Sequence, residues 1–134
     1  MNARILIVDD NPANLKLAAD VLGFDGYHVE TVENAAGALE ALRRQRPDLI
    51  LMDIAMPGMD GLALTRLLKA DPATQLIPVV ALTASAMKGD ERRTRAAGCD
   101  GYISKPIDTR TFSGQVADYV SRGAVARPDS LPPS

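Results

Sequence analysis

The sequence holds one cysteine, Cys99, so no intramolecular disulfide is available to it. It has no basic surplus: 15 lysines and arginines stand against 17 aspartates and glutamates, for a formal net charge of −2. Non-specific nucleic-acid binding wants a basic face, so nucleic acid is set aside as a partner. No apolar run approaches the roughly 20 residues that a membrane span requires. Met1-Asn2-Ala3-Arg4 leads straight into an apolar segment and lacks the layout of a secretory leader. These absences together point to a reducing cytoplasm, away from membranes. The chain has 134 residues, enough for one domain with a real core and too few for two.

What the chain does have is a repeating order of elements. Ile5-Leu6-Ile7-Val8, Leu49-Ile50-Leu51-Met52 and Val79-Val80-Ala81-Leu82 are short, continuous apolar runs. Such runs fit strands buried on both faces of a parallel sheet. His28 to Val32 and Tyr102 to Ser104 are weaker strand candidates. Helical stretches lie between. Asn11 can cap a helix with Pro12 at its first position, reaching about Gly23. Asn34 can cap a second helix, Ala35 to about Gln45. A third spans Gly61 to Lys69, and a fourth, strongly charged, spans Lys88 to Ala97 with Gly98 suited to its end. Asp108 can cap a fifth helix reaching about Ser121. Five strands alternating with five helices predict an α/β fold: a five-stranded parallel sheet, doubly wound as (βα)5, in a single domain. The domain is expected over 1–122. From 123 to 134, prolines and serines with little to bury predict a disordered tail.

In open parallel sheets ligands sit beyond the carboxyl ends of the strands, and that is where the chemistry-bearing residues fall. Asp9 and Asp10 end the first strand, Asp53 the third, Thr83 the fourth, and Ser104-Lys105-Pro106 the fifth. Two unit charges about 4 Å apart repel by roughly 4 kcal/mol at an effective dielectric of about 20. Crowded carboxylates therefore need protonation, a cation, or wide separation. Oxygen-only ligands on rigid elements suit Mg²⁺, with Mn²⁺ as a substitute. Lys105 adds a mobile positive charge and Thr83 a neutral donor. That set fits phosphoryl transfer, which needs positioning and charge neutralisation. A carboxylate can be its nucleophile, forming an aspartyl-phosphate. Asp53, presented by a central strand between the paired acids and the lysine, is the choice.

Ile7-Val8-Asp9-Asp10-Asn11, Leu51-Met52-Asp53-Ile54 with Met56-Pro57-Gly58-Met59-Asp60-Gly61, Leu82-Thr83-Ala84 and Ser104-Lys105-Pro106 resemble the response-regulator receiver family of two-component signalling. The likeness runs to about Ser121. Further stretches, Ala86-Met87-Lys88-Gly89-Asp90-Glu91 and Tyr102-Ile103-Ser104-Lys105-Pro106-Ile107, look most like its DivK subgroup of stand-alone cell-cycle regulators. The resemblance implies the flavodoxin-like, CheY-like fold and a set of roles. Asp53 would accept a phosphoryl group from a phosphohistidine on a sensor histidine kinase or a histidine phosphotransfer protein. Asp10, Asp53 and the backbone oxygen of Ala55 would ligate Mg²⁺, and Asp9 would act through water. Lys105 would pair with a phosphoryl oxygen, and the Lys105-Pro106 bond would be cis. Thr83 would swing inward as a switch, with Tyr102 following it from an exposed to a buried rotamer. Ala55 and Ser85, both small, would position no attacking water, so rapid self-hydrolysis is not expected. The domain would promote only its own phosphorylation and dephosphorylation, and would not be an enzyme on other substrates.

The first helix is apolar over a wider arc than a core stripe needs. Either it is buried between sheet and neighbours, or it offers a partner-docking face centred on Asn14 and Leu15, with Pro106 nearby. The fourth helix, fifth strand and fifth helix form the expected face for a downstream protein target. Other functions are weighed by what each lacks. A phosphatase or mutase with an aspartyl nucleophile needs substrate-covering loops, and the connections are short. A flavin or nucleotide binder needs a phosphate-cradling loop after the first strand, where Asp9-Asp10-Asn11-Pro12 would repel phosphate. A phosphorylation-independent scaffold and a phosphorelay intermediate remain as alternatives.

Overall fold

The computed structural model describes residues 3–54, 61–83, 88–105 and 107–126, with backbone alone at 88–91 and 122–126. Its elements alternate: β1 (Arg4–Val8), α1 (Pro12–Phe24), β2 (His28–Val32), α2 (Ala35–Arg44), β3 (Leu49–Asp53), α3 (Gly61–Ala70), β4 (Val79–Thr83), α4 (Lys88–Ala97), β5 (Gly101–Ser104) and α5 (Phe112–Ala126). The strands form one parallel sheet in the order β2-β1-β3-β4-β5. The order reverses between β1 and β3, which makes their carboxyl ends the topological switch point.

The apolar runs form strands because both sheet faces are covered. Leu49, Ile50, Leu51 and Met52 are all fully buried. Side chains alternate along each strand, so each run divides between two cores. Leu6, Val8, Ile50, Met52, Val79 and Ala81 pack under α2, α3 and α4, with Leu62, Leu64 and Leu68. Ile5, Ile7, Leu49, Leu51, Val80, Leu82 and Ile103 pack under α1 and α5, with Leu22, Phe112 and Val116. Each valine, leucine, isoleucine, methionine or phenylalanine among them contributes about 1.5–3 kcal/mol when fully buried, which fixes register against a one-residue slip.

Local signals set the helix ends. The Asn11 side chain accepts from the N–H groups of Ala13 and Asn14 at 2.9 and 3.3 Å, and that of Asn34 accepts from Gly37 at 2.8 Å. Gly98, with φ of 102°, ends α4 in the left-handed region open to glycine. The last helix differs from expectation at both ends. Asp108 does accept from Arg110 N–H at 2.9 Å, but residues 109–111 form a turn and α5 starts at Phe112. At its far end α5 continues to Ala126, where a tail was expected from 123. Val120 still packs on the core, and once a helix is nucleated each added residue gains a backbone hydrogen bond. Residues 127–134 lie outside the described residues.

Candidate functional site

Three strands deliver four charged side chains to the switch point. In register, Ile7 pairs with Leu51 and Asp53 with Leu82, while Leu82 pairs with Ile103. Alternation then carries Asp9, Asp53 and Lys105 onto the face of Ile7, Leu51 and Ile103. Asp9 is fully buried and Asp53 is 3% exposed. Lys105 bridges them: its Nζ lies 3.1 Å from Asp9 Oδ2 and 3.2 Å from Asp53 Oδ1. Asp10 is exposed at the mouth, and Asp9, Asp10 and Asp53 each place a carboxylate oxygen within 4.8 Å of the others.

The lysine does not satisfy this cluster. Asp9 Oδ1 accepts the Asn11 N–H at 2.9 Å. Asp9 Oδ2 is buried and, among the described residues, has no hydrogen-bond partner; the lysine lies near enough to attract it. Burial pushes the Asp9 carboxyl above its ordinary range. The Asn11 N–H and then Lys105 oppose that rise, while the charge of Asp53 adds to it. A buried, under-satisfied carboxylate beside two others is a site short of positive charge.

The oxygen-only donor set suits a hard divalent cation. Two oxygens on opposite sides of one Mg²⁺ stand about 4.2 Å apart. A spread of up to 4.8 Å is of the size that one such cation and its ligands occupy.

Thr83 and Tyr102 lie on the other face. Thr83 is 2% exposed at the end of β4, and its carbonyl accepts the Lys105 N–H at 2.7 Å. Tyr102, half-buried, packs against the α2/α3/α4 core, and its carbonyl accepts from Tyr119 Oη at 3.5 Å. The proposed switch pair thus shares one side of the sheet, opposite the lysine.

Of the two readings of α1, burial is the one that holds for Leu15. Leu15 is 7% exposed and belongs to the α1/α5 core. With Ala18 and Leu22 it makes the stripe that faces Ile5 and Ile7, so burial explains its apolar character. Asn14 is half-buried, and the large apolar side chains that α1 exposes are Leu17 and Phe24. Ala55, Ser85 and Pro106, and with them the Lys105-Pro106 bond, lie outside the described residues. Cys99 is buried in the core, its thiol raised in pKa by that burial. Among the described residues no helix is long and apolar enough to cross a membrane.

Sequence reasoning gave Gly61 no role. A Cβ at this position would stand 2.2 Å from the Asp53 carbonyl oxygen. The signal the sequence offered was a glycine at the first position of a predicted helix.

Residues 5–117 match the family model described as the response regulator receiver domain. The chain is 46% identical over 120 residues to the polar-differentiation response regulator DivK of Brucella anthropi, covering 90% of this chain and 98% of that one. Among solved structures it resembles the signal receiver domain of a signal transduction histidine kinase from Syntrophus aciditrophicus, with TM-score 0.83, 36% identity and 98% of each chain covered. It also resembles the receiver domain of a sensor histidine kinase from Pseudomonas aeruginosa, with TM-score 0.81, 33% identity, and 90% and 99% covered. That domain carries a magnesium ion coordinated in its active-site cleft. With two acids and a lysine converging at the switch point of a 2-1-3-4-5 sheet, and matches of this extent, the chain belongs to the response-regulator receiver family.

Proposed function

We propose that Asp53 is the phosphoacceptor of a Mg²⁺-dependent receiver. The observation that carries this reading is Lys105 Nζ held 3.1 and 3.2 Å from Asp9 and Asp53 beside a buried oxygen that has no hydrogen-bond partner among the described residues. Asp10 and Asp53 would hold the cation, with the Ala55 carbonyl as a further ligand and Asp9 acting through water. When bound, Mg²⁺ (or Mn²⁺) would supply the charge that offsets repulsion among the acids and on the phosphoryl oxygens.

The residues of the chain divide the rest of the work. A carboxylate oxygen of Asp53 attacks phosphorus and forms an acyl phosphate as the P–N bond of a phosphohistidine breaks. The departing imidazole keeps the bonding pair and takes a proton from solvent. Lys105, already beside Asp53, pairs with a phosphoryl oxygen as the charge on Asp53 is used to make the bond. Thr83 bonds another oxygen, and Tyr102, on the same sheet face, follows it inward. That bias on a two-state equilibrium changes which proteins bind the α4, β5 and α5 face.

The donor is a sensor histidine kinase or a histidine phosphotransfer protein, and onward transfer to another histidine is a second output. Likeness to DivK supports a place in polar-differentiation signalling within the cytoplasm. A partner approaching the acids would meet the exposed side of α1 near Asn14, and Pro106, next in sequence to Lys105, would join that docking surface. Intact mass after incubation with acetyl phosphate and Mg²⁺ tests the chemistry. One added phosphoryl group is expected, absent without Mg²⁺. Incorporation that persists in Asp53→Ala would assign the acceptor elsewhere.

A further inference from the structure

Gly61 begins α3 and is buried. A Cβ there would lie 2.2 Å from the Asp53 carbonyl oxygen, 2.8 Å from Ile54 Cα and 2.9 Å from the Asp53 carbonyl carbon. All three are backbone atoms, so no rotamer change can make room. Nor is glycine needed for its backbone freedom, since among the described residues positive φ occurs only at Gly26 and Gly98. What the position requires is absence of a side chain, so that the first turn of α3 can rest on the peptide that carries Asp53.

That turn is pinned from behind. The Thr65 hydroxyl, fully buried, donates to the Gly61 carbonyl at 2.7 Å. The Cys99 thiol, from the α4–β5 connection, lies 3.9 Å from Thr65 Oγ1. Leu62, Leu64 and Leu68 hold the same helix in the core. On its other side the Asp53 peptide is held by the ladder to β4, with Ile54 N–H on the Leu82 carbonyl at 3.4 Å. The end of β3 is clamped between β4 and α3.

We propose that Gly61 is a positioning residue for Asp53, and that Thr65 holds it in place. The close approach fixes where the Asp53 carboxylate stands relative to Lys105 and Asp9. Any side chain at 61 separates α3 from β3 and moves that carboxylate. This rests on the reading of Asp53 as acceptor, because the rate of phosphorylation is one of its readouts. Misplacement by about 1 Å can cost about 100-fold in rate.

The test compares wild type with Gly61→Ala, Thr65→Val and Thr65→Ser in the 134-residue chain. It reads the phosphorylation rate from acetyl phosphate at saturating Mg²⁺ and, separately, Mn²⁺ affinity by electron paramagnetic resonance. A folded Gly61→Ala that is phosphorylated about 100-fold more slowly and binds Mn²⁺ about 10-fold more weakly supports the proposal. A lower melting temperature with both readouts within twofold of wild type overturns it. Should Gly61→Ala fail to fold, Thr65 decides. A slower Thr65→Val rescued by Thr65→Ser supports the proposal, and Thr65→Val at the wild-type rate overturns it. If the wild type takes no phosphoryl group, the acceptor reading fails alone, and Mn²⁺ affinity in the same variants still decides the positioning role.

Discussion

The two edges of the sheet use aspartate in opposite ways. At the amino edge, Asp48 Oδ2 accepts the Arg4 N–H at 2.8 Å, and Asp100 Oδ2 accepts the Val79 N–H at 2.8 Å. Lys69 Nζ then reaches Asp100 at 2.9 Å and the Ile77 carbonyl at 2.8 Å. Each acid there binds the free N–H with which a strand begins. At the carboxyl edge the strands present carbonyls, which cannot serve an acid. Asp9 and Asp53 must share one lysine, and a buried oxygen of Asp9 is left over. Carboxylates are structural where backbone donors meet them; at the carboxyl edge one backbone N–H serves Asp9 Oδ1 but Asp9 and Asp53 also draw on one mobile cation, and the cluster keeps the capacity to bind something else.

The sharpest way to break this contrast is to remove the acceptor. Asp53→Asn should lose phosphoryl incorporation entirely while the far edge keeps Asp100→Ala fully competent, both read by intact mass. Next is the shared cation. Lys105→Met leaves two buried acids without their partner and should cost about 3 kcal/mol at neutral pH, measured by urea unfolding. The loss should shrink at acid pH as Asp9, whose carboxyl pKa burial raises, takes up a proton.

At the amino edge, Asp100→Ala strips both Val79 N–H and Lys69 and should cost about 1–2 kcal/mol, with no change in phosphorylation rate. The smallest effect has the opposite sign. The Asp9 pKa is raised in the folded state by burial. Its contribution is therefore intact below the ordinary value of 3.8, where both states are protonated, and is lost as pH rises through the raised value. Asp9→Asn should thus stabilise the metal-free protein by about 1 kcal/mol at neutral pH and not at all near pH 3. The same variant should lose most of the gain that Mg²⁺ gives the wild type, about 2.7 kcal/mol at 100 times Kd. Denaturation with and without Mg²⁺ reads both.

Much of this was legible because it is local. Asn11 and Asn34 announce their helices, and runs such as Leu49–Met52 announce strands covered twice. Alternation with helices then forces Asp9, Asp53, Thr83 and Lys105 to one edge. Leu15 was ambiguous, since an apolar position on a helix reads alike whether it meets the sheet or a partner. Nothing in the sequence marks Asp48 and Asp100, because the N–H groups they serve are 44 and 21 residues away. Gly61 sits beside its motif, but its reason is a contact with a neighbouring strand.

The sequence by itself determined the order of elements, the parallel sheet and the set of chemistry-bearing residues at strand ends. Periodicity, caps and residue type are properties of neighbours along the chain. Only the tertiary structure decided which acid is under-satisfied, that Lys105 spans two of them, and that α3 rests on the Asp53 peptide. Those depend on distances between elements far apart in sequence, where differences of about an ångström separate a hydrogen bond from an unpaired charge.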